Sequence, residues 1–310
     1  MPAGRAISRV NWMELPEGFT ARQLVQSDLG DVYAVAEAYD IEMLGEPDLE
    51  KADIEAFWKM PNFHLDTDSL GVFDGLRLTA YAEVMMGKYI DLCVHADYRG
   101  RGIGTALGQW AEDRLRAMGA ATAIQRAPLT DRPALQIFAD RGYGRGWTSW
   151  ALALPSDVAI PPRELAEGYA VRPFIPGIED EAVYEVIQTA FGEWPDRERT
   201  PYEDWRAVVF GRENFNPDNM LVATWGEHVV GVCYVLDGER AGWVNSLAVD
   251  KAHRHRGIAQ VLLARAFEGT RSRGLKRAEL ATDSRTGALG LYENLGMQVT
   301  QTYEDWTLQL

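Results

Sequence analysis

The chain has 310 residues, 46% hydrophobic and 25% charged, an ordinary balance for a globular protein with material for two cores. Its net charge of −15 argues against a nucleic-acid partner, because phosphate backbones reward basic surfaces, and is compatible with a cationic substrate such as an amine. No apolar run approaches the length of a membrane span and Met1 to Gly18 holds no apolar leader core, so a cytoplasmic protein with no membrane partner is expected.

Phe19 to Leu24 reads as a short strand, and Leu29 to Tyr39 has helical spacing with Val32, Val35 and Ala36 on one side. Gly45-Glu46-Pro47-Asp48 breaks the chain, and Asp48 starts a second helical run, Leu49 to Lys59. Ser69 to Phe73 and Leu76 to Met86 read as strands joined at Asp74-Gly75, a hairpin signal, and Tyr89 to Val94 as a further strand. Ile103, Ala106, Leu107, Trp110, Ala111, Leu115 and Met118 follow the helical period, and Gly119 ends that helix. Ala121 to Gln125 reads as a strand, Arg132 to Asp140 as a helix and Gly142 to Leu154 as strand-like. Pro155, Pro161 and Pro162 mark a linker.

The order then repeats. Tyr169 to Pro173 is strand-like, and Asp180 to Phe191 and Tyr202 to Phe210 are helical. Met220 to Thr224 and His228 to Leu236 are strands around Gly226-Glu227, followed by Trp243 to Val249. A helix from Ile258 ends near Gly274; Ala278 to Ala281 is a strand, Gly287 to Leu295 a helix stopped by Gly296, and Met297 to Leu310 supplies the last strands. The pattern is a duplicated α/β domain of about 150 residues. The expected division is 1–154, a linker over 155–168, and 169–310.

Two glycine turns organise the halves. Arg99-Gly100-Arg101-Gly102-Ile103-Gly104 follows the strand ending in Val94, and Arg254-His255-Arg256-Gly257-Ile258-Ala259 follows the strand ending in Val249. The offset is 155 residues, both from Arg99 to Arg254 and from Gly102 to Gly257. A helix N-terminus leaves backbone N–H groups unpaired and carries partial positive charge, so phosphate oxygens suit it. In an acidic chain both turns are basic, and an anionic ligand is expected there.

The order strand, Arg-x-x-Gly-x-(Gly/Ala), helix, strand, and a helix carrying Leu291-Tyr292-Glu293 ahead of Gly296-Met297 resembles the GNAT acetyltransferase superfamily. The first half carries the same order in Leu92-Cys93-Val94-His95, Arg99 to Gly104 and Ala134 to Gly142. The tandem layout is similar to the group that includes mycothiol synthase. The resemblance implies two GNAT domains, each a mixed, splayed central sheet flanked by helices, with acetyl-coenzyme A as donor in the splay.

It further implies that the backbone of Arg254, His255, Arg256, Gly257, Ile258 and Ala259 holds the coenzyme diphosphate. The Leu247, Ala248 and Val249 backbone would pair with pantetheine like an added strand, with an amide there steadying the thioester oxyanion. Tyr292 occupies the family's general-acid position, and a phenol of pKa ~10 can protonate a departing thiolate. Asp283 stands where relatives contact the coenzyme, although its run equally reads as a helix cap with Thr286 as N-cap. In the first half Val94, Arg99, Gly100, Arg101, Gly102, Ile103 and Gly104 form a second coenzyme-type site, but Phe138 replaces the acid and Tyr143 lies beyond the glycine, so that half reads as non-catalytic.

Trp243 stands where many relatives, mycothiol synthase among them, carry a glutamate, and Asn245 cannot act as a base; this argues against mycothiol synthase itself. Deprotonation then falls to water, to a carboxylate from elsewhere, or to no group at all if the amine arrives neutral; the candidate carboxylates are Glu193 and Asp196, in the loop after the first helix of the second half, and with Trp194, Trp243 and Asn245 they make up the expected acceptor site. Phe191, Tyr202 and Trp205 are further aromatic candidates, with Trp205 and Phe210 assigned to the core by their helical spacing. His253 and His255 read as diphosphate neighbours or surface residues. With His95 and His228 scattered, and Cys93 and Cys233 inside apolar strands, no metal site is expected.

The reading is an acetyl-coenzyme A-dependent N-acetyltransferase acting on a small amine by direct attack, with catalysis in the second half. The alternative is a non-catalytic acyl-coenzyme A or ligand-binding protein with two degenerate domains; O-acetylation or a longer acyl donor is a third.

Overall fold

The computed structural model describes residues 15–310 except 195, 196, 198, 213 and 214. The chain divides into two compact units, one reaching to Gly146 and including 304–310, the other spanning Trp147–Tyr303.

The first unit contains β1 (Phe19–Arg22), α1 (Leu29–Leu44), α2 (Lys51–Trp58), the single turn α3 (Leu65–Asp68), β2 (Ser69–Asp74), β3 (Arg77–Met85), β4 (Tyr89–Val94), α4 (Ile103–Ala117), β5 (Thr122–Pro128), α5 (Arg132–Asp140) and the start of β6 (Gly144–Pro155). Neighbouring strands are antiparallel from β1 to β4, and β4 and β5 run parallel. α4 buries Ile103, Leu107, Ala111 and Leu115, the stripe its helical spacing predicts, while Met118 is exposed because it caps the helix end.

The second unit repeats this order with β7 (Tyr169–Pro173), α6 (Asp180–Phe191), α7 (Tyr202–Phe210), β8 (Met220–Trp225), β9 (His228–Asp237), β10 (Ala241–Val249), α8 (Ile258–Ser272), β11 (Arg277–Asp283), α9 (Leu289–Asn294) and β12 (Gln298–Gln309). β10 and β11 are parallel, and β11 pairs antiparallel with β6. Period-two alternation sends Cys233 and Val235 of β9 to the α8 face, with Ile258, Leu262 and Leu263, and sends Val232, Tyr234 and Leu236 to the α6–α7 face, with Val183, Ile187 and Trp205.

Three expectations are corrected. The division falls inside β6, not at the proline-rich stretch, because β6 continues to Pro155 and the last residues of β12 stand in the first unit. Residues 155–168 are no spacer: Ile160 is buried in the second core and Val158 and Leu165 pack on it. The stretch Met297 to Leu310 holds one long strand, β12 (Gln298–Gln309), where several were expected.

In both units the parallel pair separates after a few residues. β4 meets β5 only at Tyr89 and Ile90, and β10 meets β11 only from Ala241 to Trp243. Beyond Trp243 the β11-facing backbone of β10 has no strand partner among the described residues, which leaves N–H and C=O groups available to an extended ligand. This is the splay that the family resemblance implies.

Candidate active site

Both glycine turns open their helices with backbone that side chains resist. Gly102 has φ +84° and Gly257 φ +82°; the residue two before each is also left-handed, Gly100 at +73° in the first unit and His255 at +60° in the second. A non-glycine residue held in that region at a helix start marks a site where backbone geometry has been kept at some cost. His255 and Arg256 are exposed beside the turn, and Ile258 anchors its first helical residue in the core. Ala259 packs on the same core, and Gly104 holds that place in the first unit, after buried Ile103.

The leading arginine of each turn braces the loop. Arg254 Nε donates to the Val249 carbonyl at 3.0 Å, and its two Nη groups grip Glu193 at 2.8 and 2.9 Å. Arg99 does the same in the first unit, with Nε to the Val94 carbonyl at 3.1 Å and Nη1 to Glu42 at 2.7 Å. Glu193 is therefore withdrawn from the expected acceptor site: Arg254 holds its carboxyl below the ordinary glutamate value, which makes it a poor base. His253 is a brace as well, sharing a 2.8 Å hydrogen bond with the Tyr169 hydroxyl and meeting the tilted Trp225 ring at 5.6 Å between centroids. Arg101 is exposed and leans on Tyr98, the first unit's counterpart of His253.

Asp283 also changes role. Its carboxylate accepts from the Arg285 backbone N–H at 2.9 Å and from the Arg285 guanidinium at 3.1 and 2.5 Å, so Arg285 occupies it and it does not stand free for a coenzyme. Thr286 Oγ1 accepts from the Ala288 N–H at 3.1 Å, but Ala288 is the N-cap of α9, so Thr286 shapes the turn ahead of the helix and is not the N-cap that was expected. Held this way, Arg285 lies 3.8 Å over the Trp147 ring and 5.5 Å from Trp194. Trp194 packs edge-on against Phe191 at 5.1 Å. Nothing in the sequence marks Trp147, which reaches this cluster from β6.

Trp243 packs on the α6–α7 face with the aromatic cluster of Tyr184, Tyr202, Trp205 and Phe210. Trp205 is buried there, as its spacing predicted. Asn245 is exposed and marks a β-bulge: the β10–β9 register shifts between Val244 and Ser246, and Asn245 Nδ2 reaches only Ser246 Oγ at 3.4 Å. A bulge re-aims an amide beside the open strand edge. β4 pairs with β3 residue for residue and has no such shift. Leu247 and Val249 pack their side chains on the core, leaving their backbone at the splay. Asp196 lies outside the described residues.

Tyr292 sits on α9, 9% exposed, with its ring in the α8-side core. Its hydroxyl makes no hydrogen bond among the described residues. Burial, with Cys233 nearby, pushes its pKa up to about 12. Phe138 takes the equivalent place on α5, packed against Tyr143 and Trp306. Tyr143 is no substitute acid, since its hydroxyl is bonded to buried Glu112 at 3.1 Å.

The profile of the acetyltransferase (GNAT) family matches residues 44–143 and 181–297, once in each unit. The chain belongs to the GNAT family. This GNAT chain is 31% identical over 247 residues to a mycothiol acetyltransferase of Salinispora arenicola, covering 76% of this chain and 78% of that one. A mycothiol acetyltransferase of Kineococcus radiotolerans is 30% identical over 221 residues, covering 68% and 69%. Among solved structures, a GCN5-related N-acetyltransferase from Sphaerobacter thermophilus superposes with a TM-score of 0.80 at 29% identity, covering 96% of this chain and 97% of that one. A tandem GNAT protein from the clavulanic acid biosynthesis pathway gives 0.76 at 16% identity, a likeness of fold, and covers 94% and 98%. The chain is thus a GNAT acyltransferase with a tandem layout. No group of three or more metal-ligating side chains occurs among the described residues, and no described helix is long and apolar enough to cross a membrane.

Sequence reading missed one cluster in the first unit. Glu83, 3% exposed, stands directly opposite Asp91 in the β3–β4 register. Among the described residues only neutral donors serve them: Trp58 Nε1 to Glu83 at 2.7 Å, and the Tyr81 hydroxyl at 3.2 Å and the Leu92 backbone to Asp91. Burial and then Asp91 raise the Glu83 pKa from 4.5 to about 8. The second unit has Tyr234 opposite Ser246 at the corresponding register. The available signal was a carboxylate at a core-facing parity of an apolar strand. Folded Glu83 keeps a proton that the unfolded chain releases between pH 4.5 and about 8, so stability falls as pH rises through that window. Glu83→Gln, which still accepts from Trp58, is expected to match wild type near pH 4.5 and to exceed it above pH 8 by an amount on the order of a few kcal/mol, read from unfolding curves at both pH values.

Proposed function

We propose that the second unit transfers an acetyl group from acetyl-coenzyme A to the amine of a small molecule by direct attack, and that the first unit carries out no transfer. The amides of the 254–259 turn hold the diphosphate, and the open edge of β10 takes the pantetheine arm. The observation that carries the reading is Tyr292: a nearly buried phenol without a hydrogen bond among the described residues, where the duplicate has Phe138.

The amine nitrogen attacks the thioester carbonyl carbon, and backbone N–H groups from the bulged stretch of β10 to Val249 steady the oxyanion. The C–S bond breaks as Tyr292 gives its proton to sulfur, and the proton lost by nitrogen restores the phenol through water. A pKa of about 12 keeps Tyr292 protonated at any working pH. The apolar surroundings that hold the phenol neutral also raise the proton affinity of the departing thiolate. With Trp243 in place of a carboxylate and Glu193 held by Arg254, the amine arrives already neutral. The net charge of −15 gathers amines, which are cationic in bulk water, around the chain, and their neutral fraction is what attacks. The names of the relatives fit a small-molecule acceptor.

Initial rates of coenzyme A release with acetyl-coenzyme A and a panel of small amines test this. Turnover of at least one amine is expected. Tight coenzyme binding with no acetylation of any amine would favour a binding protein instead.

A further inference from the structure

The two glycine turns share their backbone but not their surroundings. A Cβ on Gly102 would meet nothing within 4 Å, whereas one on Gly257 would stand 2.5 Å from Arg163 Cδ and 2.8 Å from its Cζ. Arg163 belongs to the stretch between β6 and β7, which runs along α8. The Val158 carbonyl accepts from Arg271, the Pro161 carbonyl accepts from Gln260 Nε2 at 3.2 Å, and Ile160 is buried in the core beneath. These contacts lay the Arg163 side chain across the start of α8, where Nη1 donates to Gln260 Oε1 at 3.3 Å.

The charge there is unbalanced. Arg163 has no ion pair among the described residues and sits on the positive end of a 15-residue helix, beside exposed His255 and Arg256. Arg254 is already neutralised by Glu193. A guanidinium held by one long neutral hydrogen bond, against a positive helix end, is repelled by its surroundings until an anion lies between them. Among the described residues, no such cation lies over the equivalent glycine of the first unit. The second unit has therefore added a cationic cover to the turn where Tyr292 supplies a proton donor.

We propose that Arg163 is a diphosphate clamp of the second unit, closing over the coenzyme from the side opposite the turn amides. This rests on the acetyl-coenzyme A reading above. A fork of N–H donors suits diphosphate oxygens, and the charge-assisted contact would distinguish phosphate-bearing donors from bare pantetheine thioesters.

The test uses the full chain as wild type, Arg163→Ala and Arg163→Lys. Titration calorimetry gives dissociation constants for coenzyme A and for dephospho-coenzyme A, which keeps the diphosphate. Steady-state kcat/KM is measured with S-acetylpantetheine, which has none. Arg163→Ala is expected to weaken both nucleotides equally, by roughly 10- to 100-fold, with a shallower salt dependence. Arg163→Lys recovers part of the loss, and kcat/KM for S-acetylpantetheine is unchanged. If the titration resolves two binding events, the change falls in one of them. Unchanged coenzyme A affinity overturns the proposal. So does an equal loss with S-acetylpantetheine, which would make Arg163 a purely structural strap, or a loss confined to coenzyme A, which would place it at the 3′-phosphate. Wild type that binds neither nucleotide would instead remove the coenzyme reading itself.

Discussion

Tyr292→Phe is expected to lower kcat by about 10²–10⁴-fold, the usual contribution of a positioned general acid. Coenzyme affinity should stay within about twofold, because the proton transfer is made only in the transition state. The lost hydroxyl makes no hydrogen bond among the described residues, so thermal stability should change little. That separation, a large fall in kcat with unchanged binding and folding, distinguishes proton donation from packing. Steady-state rates, coenzyme titration and a melting curve on one preparation provide it.

The second large effect is a contrast between two glycines. Gly257→Val and Gly102→Val place a β-branched residue at nearly the same left-handed φ, so both carry a similar strain of about 1–2 kcal/mol. Only Gly257 lies under Arg163 and beside the proposed diphosphate site. Gly257→Val is expected to reduce kcat/KM for acetyl-coenzyme A by about 10²-fold or more through displaced amides. Gly102→Val should melt at a similar temperature and keep turnover within about twofold, since the first unit lacks the acid. Equal losses in the two variants would place chemistry in both units. Melting curves of both variants guard against reading a folding defect as a catalytic one.

The duplication, the order of strands and helices and the two turns were legible in the sequence because each rests on local periodicity or on a glycine with a left-handed φ. The splay followed from the family resemblance, and the structure gives it a physical form in pairing that stops at Trp243 and at Ile90. What the sequence hid depends on partners distant in the chain. Glu193 looked like a free carboxylate until Arg254, 61 residues on, took both of its oxygens. Asp283 looked ready for a ligand until Arg285 folded back on it. The prolines of 155–168 suggested a spacer, yet the apolar residues between them, Val158, Ile160 and Leu165, bind that stretch to the second core and deliver Arg163 to Gly257. The pairing of buried Glu83 with half-buried Asp91 depends on strand register, which composition does not reveal.

The central claim is that the Tyr292 proton goes to the leaving sulfur. It is tested most directly by the ratio of wild-type to Tyr292→Phe turnover, measured once with acetyl-coenzyme A and once with its selenoester analogue. A selenolate is a far weaker base than a thiolate and departs without a proton. The ratio is predicted to collapse from about 10²–10⁴ towards unity with the selenoester. A ratio that stays equally large with both donors would contradict the assignment and return Tyr292 to the core as a packing residue.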